Sequence, residues 1–141
     1  MGPTEALAEL TELSSQVVDA AILGESGFVL ASTSPERGEE LARTAAELLA
    51  AAADVRPAGP AVTRVEVALP GGSVFVVREG GRVAVAATVP EPTPGLVVYD
   101  LRTALRRLEE DAPAPEADGR DDKDGAKRSR KPRTRKKAAD A

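Results

Sequence analysis

Residues 24–27 (GESG) place a serine between two glycines, an arrangement found in nucleophilic and phosphate-binding loops. A phosphate-binding loop of the type G-x-x-x-x-G-K-S/T needs a lysine, and no lysine occurs before Lys123. A nucleophile elbow has the pattern G-x-S-x-G, whereas Phe28 occupies the last position here. The chain contains no histidine to act as the usual base for Ser26. We therefore predict a hairpin turn, because turn geometry accounts for both glycines.

Four glutamates, Glu36, Glu39, Glu40 and Glu47, have a spacing that places some of them on one face of a helix. They could be interpreted as metal ligands, but a helix N-terminus favours carboxylates in any case and no further ligands are evident. The absence of Cys and His also excludes disulfides, thiolate nucleophiles and the usual zinc sites. We expect no metal, no cofactor and no small-molecule substrate, and we predict that the protein is not an enzyme.

Arg102, Arg106 and Arg107 form a basic cluster that could meet an anionic partner. Basic residues are equally expected near the C-terminus of a helix, where they complement its dipole. Because acidic residues follow immediately at 109–111, we interpret the three arginines as structural.

Charge and hydropathy both divide the chain after residue 111. Residues 1–111 carry 17 acidic and 9 basic groups, a net charge of −8, whereas residues 112–141 carry 6 acidic and 10 basic groups, a net charge of +4. The second segment contains no Val, Ile, Leu, Met or aromatic residue, so it cannot bury apolar surface. We predict one folded domain at 1–111 and a disordered linker with a basic tail at 112–141.

The basic tail is the most unusual part of the sequence. Its eight clustered basic residues are Lys127, Arg128, Arg130, Lys131, Arg133, Arg135, Lys136 and Lys137. Two interpretations stay open: a tail that only increases solubility, and an arm that binds nucleic acid or an anionic lipid surface. The tail has no aromatic residue to stack on bases, so sequence-specific recognition of nucleic acid is not expected.

The N-terminus contains glutamates and lacks the basic region and apolar run of a signal peptide. No apolar stretch approaches the roughly 18–20 residues that a membrane span requires. We therefore expect a soluble cytoplasmic protein.

The N-terminal segment is predicted to form a short amphipathic helix that ends near Ser15. Its apolar residues recur at helical spacing after Thr4, which can cap the helix. They are Ala6, Leu10, Leu13 and Val17.

A hairpin and a second helix are predicted next. Residues 17–24 (VVDAAILG) are apolar on both faces, which suits a central strand, and residues 28–33 (FVLAST) form its partner. Ser34 and Pro35 then begin a helix, because serine caps free amides and proline fits the first helical position. This helix ends near Ala53. Its alanine-rich apolar stripe consists of Leu41, Ala45, Leu48, Leu49 and Ala52.

Three strands and a last helix complete the predicted fold. Residues 61–69 alternate between apolar and charged side chains, and glycine-containing turns at 70–72 and 80–81 lead into two further strands. The last helix begins at Thr93-Pro94. Its apolar face consists of Val97, Leu101, Leu105 and Leu108. The order α-ββ-α-βββ-α predicts an α/β (α+β) fold with a five-stranded, mostly antiparallel sheet and helices on its faces.

The strand at 61–69 is expected at an edge of the sheet, where unpaired backbone groups invite pairing with another chain. Arg64 and Glu66 on its outer face give modest protection, and their opposite charges can pair across a two-fold axis. The alternatives are a symmetric homodimer and a monomer whose edge is covered by the terminal helix or the tail. We favour the homodimer.

The order of the elements resembles that of the Roadblock/dynein light chain family. The resemblance is carried by residues 20–33 (AAILGESGFVLAST), 36–52 (ERGEELARTAAELLAAA) and 95–108 (GLVVYDLRTALRRL), and it covers roughly residues 5–110. The signature of the last helix is Gly95, Leu96, Val97, Tyr99 and Asp100.

The resemblance implies a longin-like or profilin-like domain that dimerises through an edge strand and its second helix, here residues 62–69 and 36–53. The implied dimer interface consists of Val62, Arg64, Glu66, Ala68, Leu41, Ala45, Leu48, Leu49 and Ala52. The implied partner surface consists of Arg37, Glu40, Arg43, Thr44 and Glu47. Members of the family are non-catalytic regulators or scaffolds for small Ras-like GTPases.

The sequence thus supports two functional hypotheses. In the first, the protein is a cytoplasmic homodimer that binds a small Ras-like GTPase and modulates its nucleotide state or localisation. In the alternative, it is a dimeric adaptor that the basic tail tethers to nucleic acid or to an anionic membrane. A small-ligand sensor would need a roomy pocket, and the short loops and small core residues argue against one.

Overall fold

The computed structural model describes residues 1–111, with side chains as far as Leu108. Its elements are α1 (Pro3–Leu13), β1 (Val17–Leu23), β2 (Val29–Ser32), α2 (Pro35–Val55), β3 (Arg64–Leu69), β4 (Gly72–Glu79), β5 (Arg82–Thr88) and α3 (Pro94–Asp111). The predicted element order is confirmed. All neighbouring strands pair antiparallel, in the order β2-β1-β5-β4-β3. The predictions for residues 112–141 lie outside the described residues.

Helices cover both faces of the sheet. Because side chains alternate along a strand, Phe75 and Val77 of β4 face α1 and α3, whereas Val76 between them faces α2. Each face therefore has its own buried cluster. On the α2 side, Leu41 and Ala45 pack against strands β1, β4 and β5. A single alanine-rich helix, α2, covers one face of the sheet, whereas α1 and α3 together cover the other.

The first helix differs from its prediction at both ends. The N-cap is Gly2, with Pro3 in the first turn, so the prediction of Thr4 as the cap is wrong. The helix ends at Leu13, whose side chain is 70% exposed, and Val17 begins β1 instead of continuing the helix. The physical reason is that the β-branched Val17 pairs with β5, and a strand ladder outweighs one further helical turn.

The second helix begins as predicted. The Ser34 hydroxyl accepts a hydrogen bond from the Arg37 backbone N–H at 3.3 Å, and Pro35 occupies the first helical position. The helix then runs two residues beyond the predicted end, to Val55. This start fixes the direction in which α2 crosses the sheet.

The third strand is shorter than predicted, because it begins at Arg64 and not at residue 61. Val62, assigned to the dimer strand from the sequence, therefore lies in the connection before it. The strand lies at one edge of the sheet, as predicted. The alternation is also present, with Val65 and Val67 partly buried and Glu66 exposed, although Leu69 at the end of the strand is 52% exposed.

The turn between β3 and β4 depends on Gly72. Its φ is +138°, and a Cβ at this position would lie 2.1 Å from the carbonyl oxygen of Thr88. Only glycine permits both the dihedral angle and the close approach. The predicted glycine turn is therefore confirmed.

The last helix buries the predicted apolar face completely: Val97, Leu101, Leu105 and Leu108 are all in the cluster shared with α1. The helix begins at Pro94, as predicted, and continues past Leu108 to Asp111.

Candidate functional site

The predicted partner surface lies on the solvent side of α2. Arg37, Glu40, Arg43, Thr44 and Glu47 project from one side of the helix at about 100° per residue. Glu40, Arg43 and Glu47 are exposed, and Arg37 and Thr44 are partly buried. The structure therefore brings these five side chains together on one accessible face. Their role as a binding surface stays a prediction.

The N-terminal end of this surface is anchored to the sheet by Asp19. Arg37 Nε lies 3.2 Å from Asp19 Oδ2, and Arg37 also pairs with Glu40 one turn along the helix. Thr33 Oγ1 donates to Asp19 Oδ1 at 3.2 Å and accepts from the Ala20 backbone N–H at the same distance. The carboxylate of Asp19 thus joins β1, the end of the hairpin and the first turn of α2.

Close packing also fixes this end of α2. A Cβ at Gly38 would lie 2.7 Å from both Cβ and Oγ of Ser32 on β2. The Ser32 hydroxyl is held in place, because it donates to the carbonyl oxygen of Ser34 at 2.6 Å. The helix therefore approaches β2 more closely than any residue larger than glycine would allow.

The predicted dimer interface consists of residues on α2 and residues on β3, and the α2 residues fall into a buried and an accessible group. Leu41 and Ala45 are buried within a single chain, at 4% and 0% exposure, so assigning them to a surface for a second copy is wrong. Their side chains face the sheet because this flank of the helix packs on β1, β4 and β5. Leu48, Leu49 and Ala52 stay accessible, each partly buried.

The other part of that interface is the outer edge of β3. The Arg78 backbone N–H donates to the Thr63 carbonyl oxygen at 2.9 Å. Hydrogen-bonded pairs alternate along an antiparallel ladder, so the backbone groups of Arg64, Glu66 and Ala68 point away from β4. These three residues, all exposed, present free donors and acceptors at the sheet edge. Whether a second chain pairs with them stays a prediction.

The three arginines of α3 are all paired with carboxylates. Arg106 Nε lies 2.5 Å from Glu79 Oε2 and Arg102 Nε lies 3.8 Å from Glu79 Oε1, while Arg107 Nε is 3.2 Å from Glu9 Oε1 on α1. The hydrogen bond and the charge of Glu79 raise the pKa of Arg106 above its ordinary value. These contacts join α3 to the sheet and to α1, which confirms the structural interpretation of the cluster.

The GESG segment forms the predicted turn between β1 and β2. The Gly27 backbone N–H donates to the Gly24 carbonyl oxygen at 2.9 Å, and Gly24 donates to the Phe28 carbonyl oxygen at 3.0 Å. Ser26 is exposed at its tip, and no base contacts its hydroxyl among the described residues.

A concave surface lies beside this turn, and sequence reasoning missed it. The groove has a volume of about 510 Å³ and runs between α2, the GESG turn and the β4–β5 turn. The expectation that small core residues leave no roomy pocket is therefore wrong. The alanines of α2, among them Ala46 and Ala50, are too short to fill the space above the sheet. Arg78 lies in this groove.

The described part of the chain offers no further site of the kinds that the sequence raised. Among the side chains that the structure describes, which extend to Leu108, no group of three or more acidic residues could hold a metal ion. No helix in the same range is long and apolar enough to cross a membrane. The eight basic tail residues lie outside the described part.

Two residues of the site, Asp19 and Arg78, were not predicted from the sequence, although the sequence around each indicates a specific role. Asp19 is the only charged residue in an otherwise apolar strand, VVDAAIL, which indicates a specific partner. Arg78 carries a similar signal, because it is a charged residue that directly follows four apolar residues of β4. What the sequence does not reveal is which side of the sheet each charge occupies and what lies above it.

No protein-family model and no curated protein matches the chain. Solved structures do share its fold. The Roadblock/LC7 domain from Streptomyces avermitilis has a TM-score of 0.67 at 17% identity, covering 78% of this chain and 97% of that one. The gliding protein MglB from Thermus thermophilus has a TM-score of 0.63 at 21% identity, covering 77% and 88%.

A third similar structure is LokiProfilin2 in its complex with rabbit actin. Its TM-score is 0.55 at 14% identity, with 75% of this chain and 94% of that one covered. At such identities the likeness shows the fold and not the activity. The resemblance noted in the sequence is confirmed at this level: the chain has the fold of a Roadblock-type, longin-like domain.

Proposed function

We propose that the protein is a cytoplasmic, homodimeric and non-catalytic regulator or scaffold that binds a small Ras-like GTPase. The observation that carries the proposal is a Roadblock-type fold whose β3 edge is unpaired and whose α2 presents a charged, accessible face. An unpaired edge strand can pair with the same strand of a second copy, and a charged helix face can bind a partner whose surface carries complementary charges.

The similar structures support the oligomeric part of the proposal. MglB from Thermus thermophilus and from Myxococcus xanthus share the fold, and one solved structure is described as MglB with a tetrameric arrangement. The resemblance to the Roadblock family supplies the class of partner, a small Ras-like GTPase.

Two copies would pair through β3 around a two-fold axis. The outward backbone groups of Arg64, Glu66 and Ala68 would form the new ladder. The oppositely charged side chains of Arg64 and Glu66 would then face their counterparts, and Leu48 and Ala52 would contribute small apolar contacts from α2.

Regulation would follow from differential binding. A partner's nucleotide equilibrium shifts only if the α2 face binds one switch conformation more tightly than the other. A rigid face suits this role, and the contacts of Asp19 and Gly38 hold the start of α2 on the sheet. Arg37 is held by Asp19 and Glu40, so an arginine-finger role would first require breaking both contacts.

The test is a pull-down with the small Ras-like GTPases of the source organism, each loaded with GDP or with a non-hydrolysable GTP analogue. We expect preferential retention of one nucleotide state. Reversing exposed charges with Arg43→Glu or Glu47→Arg should weaken binding by at least about tenfold. Glu12→Arg, an equivalent change on the exposed side of α1, is the matched control. Failure to bind in every nucleotide state would contradict the proposal.

A further inference from the structure

The groove beside α2 has a floor that is apolar on β1 and β5 and carries one positive charge on β4. Leu23, Val83 and Arg78 are lateral neighbours on β1, β5 and β4, since Leu23 pairs with Val83 and Val83 with Arg78. All three line the groove. The floor is therefore aliphatic over two strands and cationic on the third.

The charge on this floor has no counterpart in the described domain. Arg78 is partly buried, yet its guanidinium makes no ion pair and no hydrogen bond with any described residue. By contrast, the three arginines of α3 all contact carboxylates. A guanidinium beside apolar surface, with five unused donors, favours an anionic group that is brought in from outside.

The groove continues beyond Arg78. A second concavity of about 410 Å³ lies toward the α2–β3 connection, where Pro57, Pro60 and Val62 line it together with the charged residues Asp54 and Arg56. The two concavities share Leu49, Ala53 and Arg78. Arg78 thus lies at the middle of an elongated depression and not at its end.

The acidic side chain of Glu25, at the turn end of the groove, determines where a ligand's carboxylate can lie. Glu25 lies beside the β4–β5 turn, with its Oε2 2.9 Å from where a Cβ of Gly81 would be. A ligand's carboxylate is therefore repelled at the turn end and attracted at Arg78. Aliphatic side chains fit between the two charges, over Leu23 and Val83.

We propose that this groove binds an extended peptide segment of a partner protein, with aliphatic side chains in the first concavity and an acidic side chain on Arg78. The chain of the ligand continues across Arg78 into the second concavity. A small apolar carboxylate would fill only one of the two, whereas an extended peptide occupies both.

The site is distinct from the α2 contacts proposed for the dimer. At about 100° per residue, Ala46 and Ala53 lie on the opposite flank of the helix from Leu48 and Ala52. Of the residues assigned to the dimer interface from the sequence, Ala45 and Leu49 also line the first concavity, and Leu49 and Val62 line the second. Peptide binding therefore does not rest on the proposed GTPase, and either proposal can fail without the other.

The experiment uses the full chain and fluorescein-labelled octapeptides that carry Leu-Val-Leu followed by Asp, together with the reversed order, since the groove does not fix chain direction. Fluorescence anisotropy gives the affinity, and amide shifts of the isotope-labelled protein give the location. We expect one of the two orders to bind. Replacing its Asp by Asn, or Arg78→Gln in the protein, should weaken binding by about tenfold, the factor that corresponds to one charge-assisted hydrogen bond.

Two matched variants separate the groove from general surface effects. Ala50→Leu fills the groove and should abolish binding, whereas Ala51→Leu, an equal change on the neighbouring exposed position outside it, should leave binding unchanged. Arg82→Gln, on the opposite face of the same hairpin, is the charge control for Arg78. The Asn peptide gives the same information if an Arg78 variant fails to fold.

Three results would overturn the proposal. The first is absence of binding by both peptide orders at millimolar concentration. The second is binding that is unaffected by Ala50→Leu and by loss of the ligand's carboxylate. The third is binding of decanoate in the groove when neither peptide binds. The last result would identify a small carboxylate as the occupant.

Discussion

Arg37 on the first turn of α2 and Asp19 on β1 form an ion pair with Nε and Oδ2 3.2 Å apart. The pair links residues that are far apart in sequence, and it lies where the hairpin passes into the helix. Asp19 holds two partners at once, because Thr33 donates to its other oxygen. The start of α2 is therefore fixed by a tertiary contact in addition to its own cap.

The coupling between Asp19 and Arg37 can be measured. Their side chains are 26% and 43% exposed, so solvent screening limits the interaction, and we expect a coupling free energy of about 0.2–1 kcal/mol. A double-mutant cycle with Asp19→Ala and Arg37→Ala, followed by urea unfolding, gives this value. The cycle of Asp19→Ala with Arg43→Ala, which do not contact each other, should give none. Equal coupling in both cycles would contradict a specific pair.

Gly38 should not tolerate a side chain. Gly38→Ala places a Cβ 2.7 Å from Ser32, so we expect a loss of about 1–3 kcal/mol in the free energy of unfolding. Gly95→Ala is the control, because nothing lies within 4 Å of that position in the first turn of α3. There the higher helix propensity of alanine should stabilise the protein by up to about 1 kcal/mol. Opposite signs are expected, and a common sign would show that α2 does not pack this closely on β2.

Leu10 and Leu13 provide a matched pair on α1. Leu10 is 4% exposed and Leu13 is 70% exposed. Leu10→Ala should destabilise the domain by about 2–5 kcal/mol, because it leaves a cavity between α1 and α3. Leu13→Ala should change stability by less than about 0.5 kcal/mol. Thermal unfolding of both variants checks the end of the helix, and similar losses would mean that α1 continues to pack after residue 10.

The unpaired edge of β3 leads to a separate prediction about the oligomeric state of the chain. The N–H of Glu66 points away from β4, so Glu66→Pro removes a donor that the single chain does not use. We expect the wild-type chain to be a dimer by light scattering and Glu66→Pro to be a monomer. Glu66→Ala keeps the donor and should stay dimeric. A monomeric wild-type chain would contradict edge pairing directly.

The basic tail leads to a prediction about how binding to polyanions depends on salt concentration. If its eight clustered basic residues contact phosphates of duplex DNA, the logarithm of affinity should fall against the logarithm of salt concentration with a slope of up to about −7. Deleting residues 112–141 should abolish this binding. The same comparison on phosphatidylserine vesicles tests the lipid alternative. If the full chain binds neither, the tail is not a polyanion-binding arm.

Local chemistry made most of the fold predictable. Ser34 and Pro35 gave the start of α2 because a cap and a fixed φ act within one turn, and Gly72 marked a turn because only glycine fits there. Val17 shows the limit of such reasoning. It continues a helical pattern as well as it begins a strand, and only the pairing with β5 decides between them.

The site was less predictable because it depends on how elements cross. Leu41 and Leu48 belong to one apolar stripe in the sequence, yet the path of α2 over the sheet buries the first and leaves the second accessible. Arg78 is a similar case, since its position in the groove follows from the pairing of the β4–β5 hairpin with β1, which is distant in the chain. No periodicity within one segment contains that information.

The walls of the groove include the turn at 24–27 and Gly81 of the β4–β5 turn, and these residues belong to neither buried cluster. Substitutions and insertions in these turns can therefore reshape the entrance without weakening the core. Turn length is therefore a way to change the shape of the groove entrance while Arg78 and the aliphatic floor stay in place.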